Sequence, residues 1–158
     1  MNRKTEESVW DYPRPPRVEP FGGLIEIKHG EYVLVNSSNS YRVLETSQPP
    51  VYYIPRADIK MELLLRTNRT SVCEFKGLAV YYDLVTSDEH LKNVAWSYEN
   101  PKPGFESIKD HLAFYASKLD ACYVDGEEVK SQEGDFYGGW ITANIKGPFK
   151  GGPGSRGW

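Results

Sequence analysis

Leu24-Ile25-Glu26-Ile27-Lys28 and Tyr32-Val33-Leu34-Val35, joined by His29-Gly30-Glu31, decide the fold class. Two runs of β-favouring residues on either side of a short glycine-containing connection make a hairpin. The pattern then repeats. Tyr41 to Glu45 and Val51 to Ile54 form a second pair around Ser47-Gln48-Pro49-Pro50, and Pro55 stops the fourth strand. Val72 to Phe75 and Leu78 to Val85 are strand-like, with a possible bulge at Gly77. Alternation puts Val80, Tyr82 and Leu84 on one face and Tyr81 and Asp83 on the other. Val94 to Tyr98, His111 to Tyr115 and Leu119 to Val124 continue the β pattern, and Asp125-Gly126 is a hairpin turn returning through Val129.

Between these strands the sequence reads as follows. The spacing of Ile59, Leu63 and Leu64 predicts a short helix over Ala57 to Leu64. Arg66 to Ser71 reads as a loop, and Thr86 to Asn93 as a polar turn. Asn100-Pro101-Lys102-Pro103-Gly104 breaks the chain before a turn or two of helix over Phe105 to Asp110. The expectation is a mainly β fold with one or two short helices.

The flanks differ from this core. Pro13, Pro15, Pro16 and Pro20 keep the first twenty or so residues irregular, while Trp10 and Tyr12 are too apolar for a free tail. The segment from Gly134 onward mixes glycine with Phe136, Tyr137, Trp140 and Phe149, which suits a chain that wraps over other elements. Neither a repeat nor a linker long enough to separate two domains is visible, so residues 1–158 read as one domain, with an arm over 1–23 and a wrap over 134–158.

Composition narrows the function classes. The 158 residues carry a net charge of −3, and Lys and Arg are scattered among Asp and Glu, which argues against a nucleic-acid partner. No stretch approaches the roughly 20 apolar residues of a membrane helix, and the first residues lack the apolar core of a secretory signal. With Cys73 and Cys122 as the only cysteines, in no C-x-x-C pair, a reduced cytoplasmic chain is expected, without cofactor or metal. His29, His90 and His111 lie far apart. The glycines near 151–154 are interrupted by Pro153 and followed by no helix, so they do not form a phosphate loop.

Three residues are candidates for chemistry. On an extended Val72 to Phe75, Cys73 faces away from Lys76, but a bulge at Gly77 would turn the lysine toward it. A lysine within reach would lower the thiol's pKa and make a nucleophile; the alternative is an inert buried thiol and a surface lysine. Glu45, ending a strand before Pro49-Pro50, is either a pocket-rim carboxylate able to orient a ligand or move a proton, or a cap for loop amides. Tyr53, Tyr82, Trp96 and Tyr98 are candidates for an aromatic pocket wall or, equally, for a β core.

Val43-Leu44-Glu45, Pro50-Val51-Tyr52-Tyr53-Ile54-Pro55, Cys73-Glu74-Phe75-Lys76-Gly77, Tyr81-Tyr82, Ala95-Trp96-Ser97-Tyr98 and His111-Leu112-Ala113-Phe114-Tyr115 occur in the order of a known pattern. Together they resemble the domain of unknown function 427 family over about Leu24 to Tyr115, with flanks like those of its longer members. Phe75 stands where many members carry tryptophan, which keeps a ring but loses an N–H donor. The resemblance implies a compact β-tent-like fold of two antiparallel sheets meeting at an angle. Zinc-carrying proteins of that fold use two C-x-x-C pairs, which this chain lacks. The family also carries a nucleotidyltransferase label, but no cluster of carboxylates for Mg²⁺ supports it here. Three readings follow: a small-molecule-binding domain with its pocket between the sheets; an enzyme using Cys73, or Lys76 with Glu45, in that pocket; or a protein whose arms bury a homodimer interface.

Overall fold

The computed structural model describes residues 5–134, 136–152, 154–155 and 157–158. The reading of the first four residues as no secretory signal, and the role given to Pro153, lie outside these residues. The described chain is mainly β. Its strands are β1 (Glu7–Ser8), β2 (Arg17–Phe21), β3 (Ile25–His29), β4 (Tyr32–Ser37), β5 (Ser40–Leu44), β6 (Val51–Tyr53), β7 (Leu64–Cys73), β8 (Gly77–Val85), β9 (His90–Tyr98) and β10 (Leu112–Phe114). The later strands are β11 (Ala121–Val124), β12 (Glu127–Glu128), β13 (Lys130–Ser131), β14 (Trp140–Ile141) and β15 (Ile145–Lys146). Every helical segment among the described residues is a three-residue 3-10 turn. None is long and apolar enough to cross a membrane.

Two four-stranded antiparallel sheets, ordered β10-β9-β8-β7 and β12-β11-β3-β4, enclose the main core. Ile25 and Ile27 of β3 face it because their neighbours Glu26 and Lys28 take the other side, as period-two alternation requires. A register shift after Ile27 lets both Leu34 and Val35 of β4 become buried. From the opposite sheet come Val80, Tyr82, Leu84, Ala95 and Phe114. The turn after β11 has Asp125 at φ 50° and Gly126 at φ 83°, the paired positive values of a tight hairpin.

A three-stranded sheet, β2-β5-β6, lies against the other face of β8 and β9. There Val43 and Tyr53 meet Ala79, Tyr81, Trp96 and Tyr98 in a second core. The middle of β8 and β9 is therefore covered on both sides, which is why Leu78 to Tyr82 and Val94 to Trp96 read as unbroken apolar runs. Ile54 and Leu112 exchange backbone hydrogen bonds of 2.8 and 2.9 Å, which tie the end of β6 to β10.

Three local expectations change, and a fourth, the short helical turn after Asn100 to Gly104, is met. The Ala57–Leu64 helix is instead two 3-10 turns, Arg56–Asp58 and Met61–Leu63. Ile59 between them is extended and bridges to Val35, and the Lys60 N–H donates to the Leu34 carbonyl, so sheet pairing outcompetes the helix. Arg66 to Ser71 is not a loop. It belongs to β7, an edge strand whose pairing with β8 skips from Arg66 to Thr70, and its polarity reflects exposure. The polar turn ends earlier, at Glu89, and β9 starts at His90, with Asn93 at φ 56° donating its N–H to Asp83. Phe105 to Asp110 holds one 3-10 turn, Glu106–Ile108.

The terminal segments pack against the rest of the described chain. β1 pairs in parallel with β15, and Val9, Tyr12, Leu44 and Ile145 make a small third core. Trp10 is half exposed, sits edge-on to Trp158 at 5.3 Å between ring centroids, and donates its indole N–H to the Pro148 carbonyl. Trp140 is sealed in the main core, its indole N–H on the Phe114 carbonyl at 3.0 Å.

Candidate functional site

Between the three-stranded sheet and the outer face of β8 and β9 lies a cavity of about 260 Å³. Three parts of the chain bring candidates from the sequence to it. β5, β6 and the turn after β5 contribute Glu45 and Tyr53; the end of β7 and its hairpin contribute Cys73 and Lys76; β9 contributes Trp96 and Tyr98. Six of the seven candidates singled out in the sequence thus line one cavity although they are scattered over more than fifty residues. Tyr82 is the exception. It faces the main core on the opposite side of β8, where its hydroxyl accepts from the Arg56 guanidinium at 2.6 Å. Its neighbour Tyr81 lines the cavity instead, hydrogen-bonded to the Ser71 hydroxyl at 2.8 Å.

The walls are aromatic and fixed. Trp96 packs against Tyr115 with ring centroids 4.6 Å apart, and stands nearly perpendicular to Tyr53 at 6.3 Å and 88°. Its indole N–H donates to the Tyr53 hydroxyl at 3.3 Å. Tyr98 and Cys73 line the cavity together. Burial pushes the phenols of Tyr53 and Tyr98 far above the ordinary tyrosine range, and the neighbouring Cys73 adds to both shifts. Both therefore stay protonated at neutral pH.

The hairpin revises the local picture of the Cys73 segment. Cys73 is the last residue of β7 and pairs with Gly77, so Glu74, Phe75 and Lys76 form the turn rather than a continuing strand. Gly77 closes that turn at φ 111°, a left-handed value suited to glycine, and is not a bulge within a strand. The Lys76 ammonium lies 5.9 Å from the centre of the Tyr98 ring. Glu45 forms an ion pair with Arg14 at 3.5 Å, and its side chain is 18% exposed. The arm over 1–23 thus holds the carboxylate at the cavity's rim.

The C-terminal wrap closes the far side. Phe136, Tyr137 and Lys150 line the cavity, and the Tyr115 hydroxyl donates to the Phe136 carbonyl at 2.7 Å. Gly138 passes so close to the Trp96 ring that a Cβ would fall 2.7 Å from its edge, and a Cβ on Gly139 would fall 2.6 Å from the Pro49 carbonyl oxygen. Buried Gln132 accepts from the Gly139 N–H and donates to the Lys150 carbonyl, which pins both strands of the wrap. Tyr81, Tyr115 and Gln132 were not singled out in the sequence. Alternation with Tyr82 was the available signal for Tyr81; a lone glutamine offers none.

The three histidines occupy separate places, each with its own partner: His29 on Glu89, His90 on Asp83, and His111 on the Lys109 carbonyl. Among the described residues no group of three or more His, Cys, Asp or Glu side chains is arranged to hold a metal ion. Comparison with curated proteins finds no match. The family model described as domain of unknown function (DUF427) matches residues 17–125, from β2 to the turn after β11, and the chain belongs to that family.

Proposed function

We propose that the protein binds a small molecule in the cavity between the β2-β5-β6 sheet and the outer face of β8 and β9. The observation that carries this reading is a set of buried rings, Tyr53, Trp96, Tyr98 and Tyr115, that pack on one another and still leave a cavity along their edge. A well-packed interior leaves few voids larger than a water molecule, so a cavity of about 260 Å³ is more than loose packing. Apolar walls with a few placed polar groups are the usual construction of ligand sites, and this volume sits just below their ordinary range, which favours a small ligand.

Native mass spectrometry of the freshly purified chain tests the reading. Extra mass that leaves on denaturation is the expected result, and replacing Val72, exposed on the cavity's rim, by Trp to narrow the opening should reduce it with little change in melting temperature. An empty wild-type chain whose tryptophan emission also ignores every small aromatic probe would sink the proposal.

A second reading, an enzyme in the same cavity, draws on Cys73 and Tyr98 lining it together. There a soft nucleophile would stand near a phenol able to donate a proton. Alkylation of Cys73 at neutral pH that is blocked by a bound ligand supports this reading. Ligand-independent alkylation at the rate of a free thiol counts against it.

A further inference from the structure

The polar groups around the cavity are unequal in kind, and the imbalance points to the ligand's charge. The Tyr53 hydroxyl already accepts the Trp96 N–H, so its remaining capacity is as a donor, and no protein acceptor for its proton occurs among the described residues. Tyr98 is a second phenol in the wall. Lys76 contributes an ammonium in contact with the Tyr98 ring, and among the described residues no carboxylate lies within ion-pair distance of it. Lys150 brings another ammonium, 5.0 Å from the centre of the Tyr137 ring. Of the carboxylates, Glu45 is neutralised by Arg14, and Glu74 is exposed at the tip of the hairpin. The two lysines are matched in number by Glu45 and Glu74, but Glu45 is already paired with Arg14, which leaves Lys76 and the Tyr53 proton as the groups open to a ligand.

We propose that the cavity takes a small planar aromatic or heteroaromatic acid, its ring against Trp96 and Tyr98 and its carboxylate toward Lys76. This rests on the pocket reading above. A flat ring matches walls made of tyrosine and tryptophan faces. An acid group would accept from the ammonium, and a ring heteroatom or second oxygen would accept the Tyr53 proton that nothing else takes up.

The test is calorimetric titration of the full chain with two matched pairs, benzoate against benzamide and indole-3-carboxylate against indole-3-carboxamide. The carboxylate of a pair should bind about 10-fold more tightly than its amide, as one charge-assisted hydrogen bond implies. Rising salt should shrink that ratio. In Lys76→Met the ratio should fall toward one while amide binding persists, which also shows that the variant folds. Amides that bind as tightly as acids, or a ratio unchanged in Lys76→Met, would overturn the acid assignment and leave the pocket reading standing. Failure of all four probes to bind would overturn the acid assignment, and the pocket reading would then stand or fall on the bound mass alone.

Discussion

Trp96 and Tyr53 are joined across the cleft by one hydrogen bond, the indole N–H donating to the phenol oxygen at 3.3 Å. The two residues belong to different sheets, so the bond ties β9 to β6 at the wall of the cavity. Both rings are almost sealed from solvent. An unmade bond there leaves a buried indole N–H without its phenol partner.

Tyr53→Phe should therefore cost about 1–3 kcal/mol, the penalty for orphaning a buried donor, although it removes only one oxygen. Trp96→Phe should cost more through lost ring volume, and the double variant should be less destabilised than the sum of the singles. Denaturant unfolding of the four chains measures this. Strict additivity would mean that the contact carries no energy.

Gly138 is the second constraint on the same ring. At φ 88° and with its would-be Cβ 2.7 Å from Trp96, it admits no side chain without displacing either the wrap or the indole. Gly138→Ala should cost about 1–2 kcal/mol from the left-handed backbone alone, and more from the clash. Near-ultraviolet circular dichroism should report a changed tryptophan environment. An unchanged spectrum with unchanged stability would show that the wrap yields freely.

The β pattern was legible because alternation at Ile25 and Ile27 and the Asp125-Gly126 turn are local signals. Which face of a strand makes the cavity was not. β8 is buried on both sides, so Tyr81 and Tyr82 look alike in sequence, and only the placement of the β2-β5-β6 sheet separates them. Ile59 shows a second limit: the apolar spacing around it fits a helix, but the Val35 bridge is a contact made across more than twenty residues. The polar run in β7 misleads for the opposite reason, since an edge strand has few apolar positions to reveal it. Glu45, Cys73 and Lys76 were visible as chemistry-bearing residues; the partner that holds Glu45, Arg14, lies in an arm with no periodic signal.

The two thiols should separate by pH. Burial pushes Cys122 up to about 12 from an ordinary 9.0, while Cys73 is partly exposed at the cavity. Native protein at pH 9 should thus react with iodoacetamide at Cys73 alone, and unfolded protein at both. The folded state holds the Cys122 proton more tightly than the unfolded state does. Its contribution to stability is therefore complete below about pH 9 and lost as pH rises to about 12. Tyr52, pushed by burial from 10.0 to about 12, acts in the same direction. A melting temperature flat from pH 8.5 to 11 would contradict this account.

Removing residues 134–158 should unfold the chain instead of releasing an intact core. Trp140 is among the largest fully buried side chains, stacks against Tyr52 at 5.4 Å in the main core, and satisfies the Phe114 carbonyl of the strand beside β9. Losing such a ring costs about 3–5 kcal/mol, a large part of the 5–15 kcal/mol that holds a domain together. Trp140→Ala in the full-length chain should reproduce most of that loss, and Phe136→Ala, at a half-exposed ring on the cavity's rim, should cost under about 0.5 kcal/mol. If the truncated chain keeps its β-type circular dichroism and a cooperative melt, the wrap is an accessory and the cavity's far wall is dispensable for folding. If Phe136→Ala instead destabilises as much as Trp140→Ala, the wrap is held at its rim and the buried indole is not its anchor.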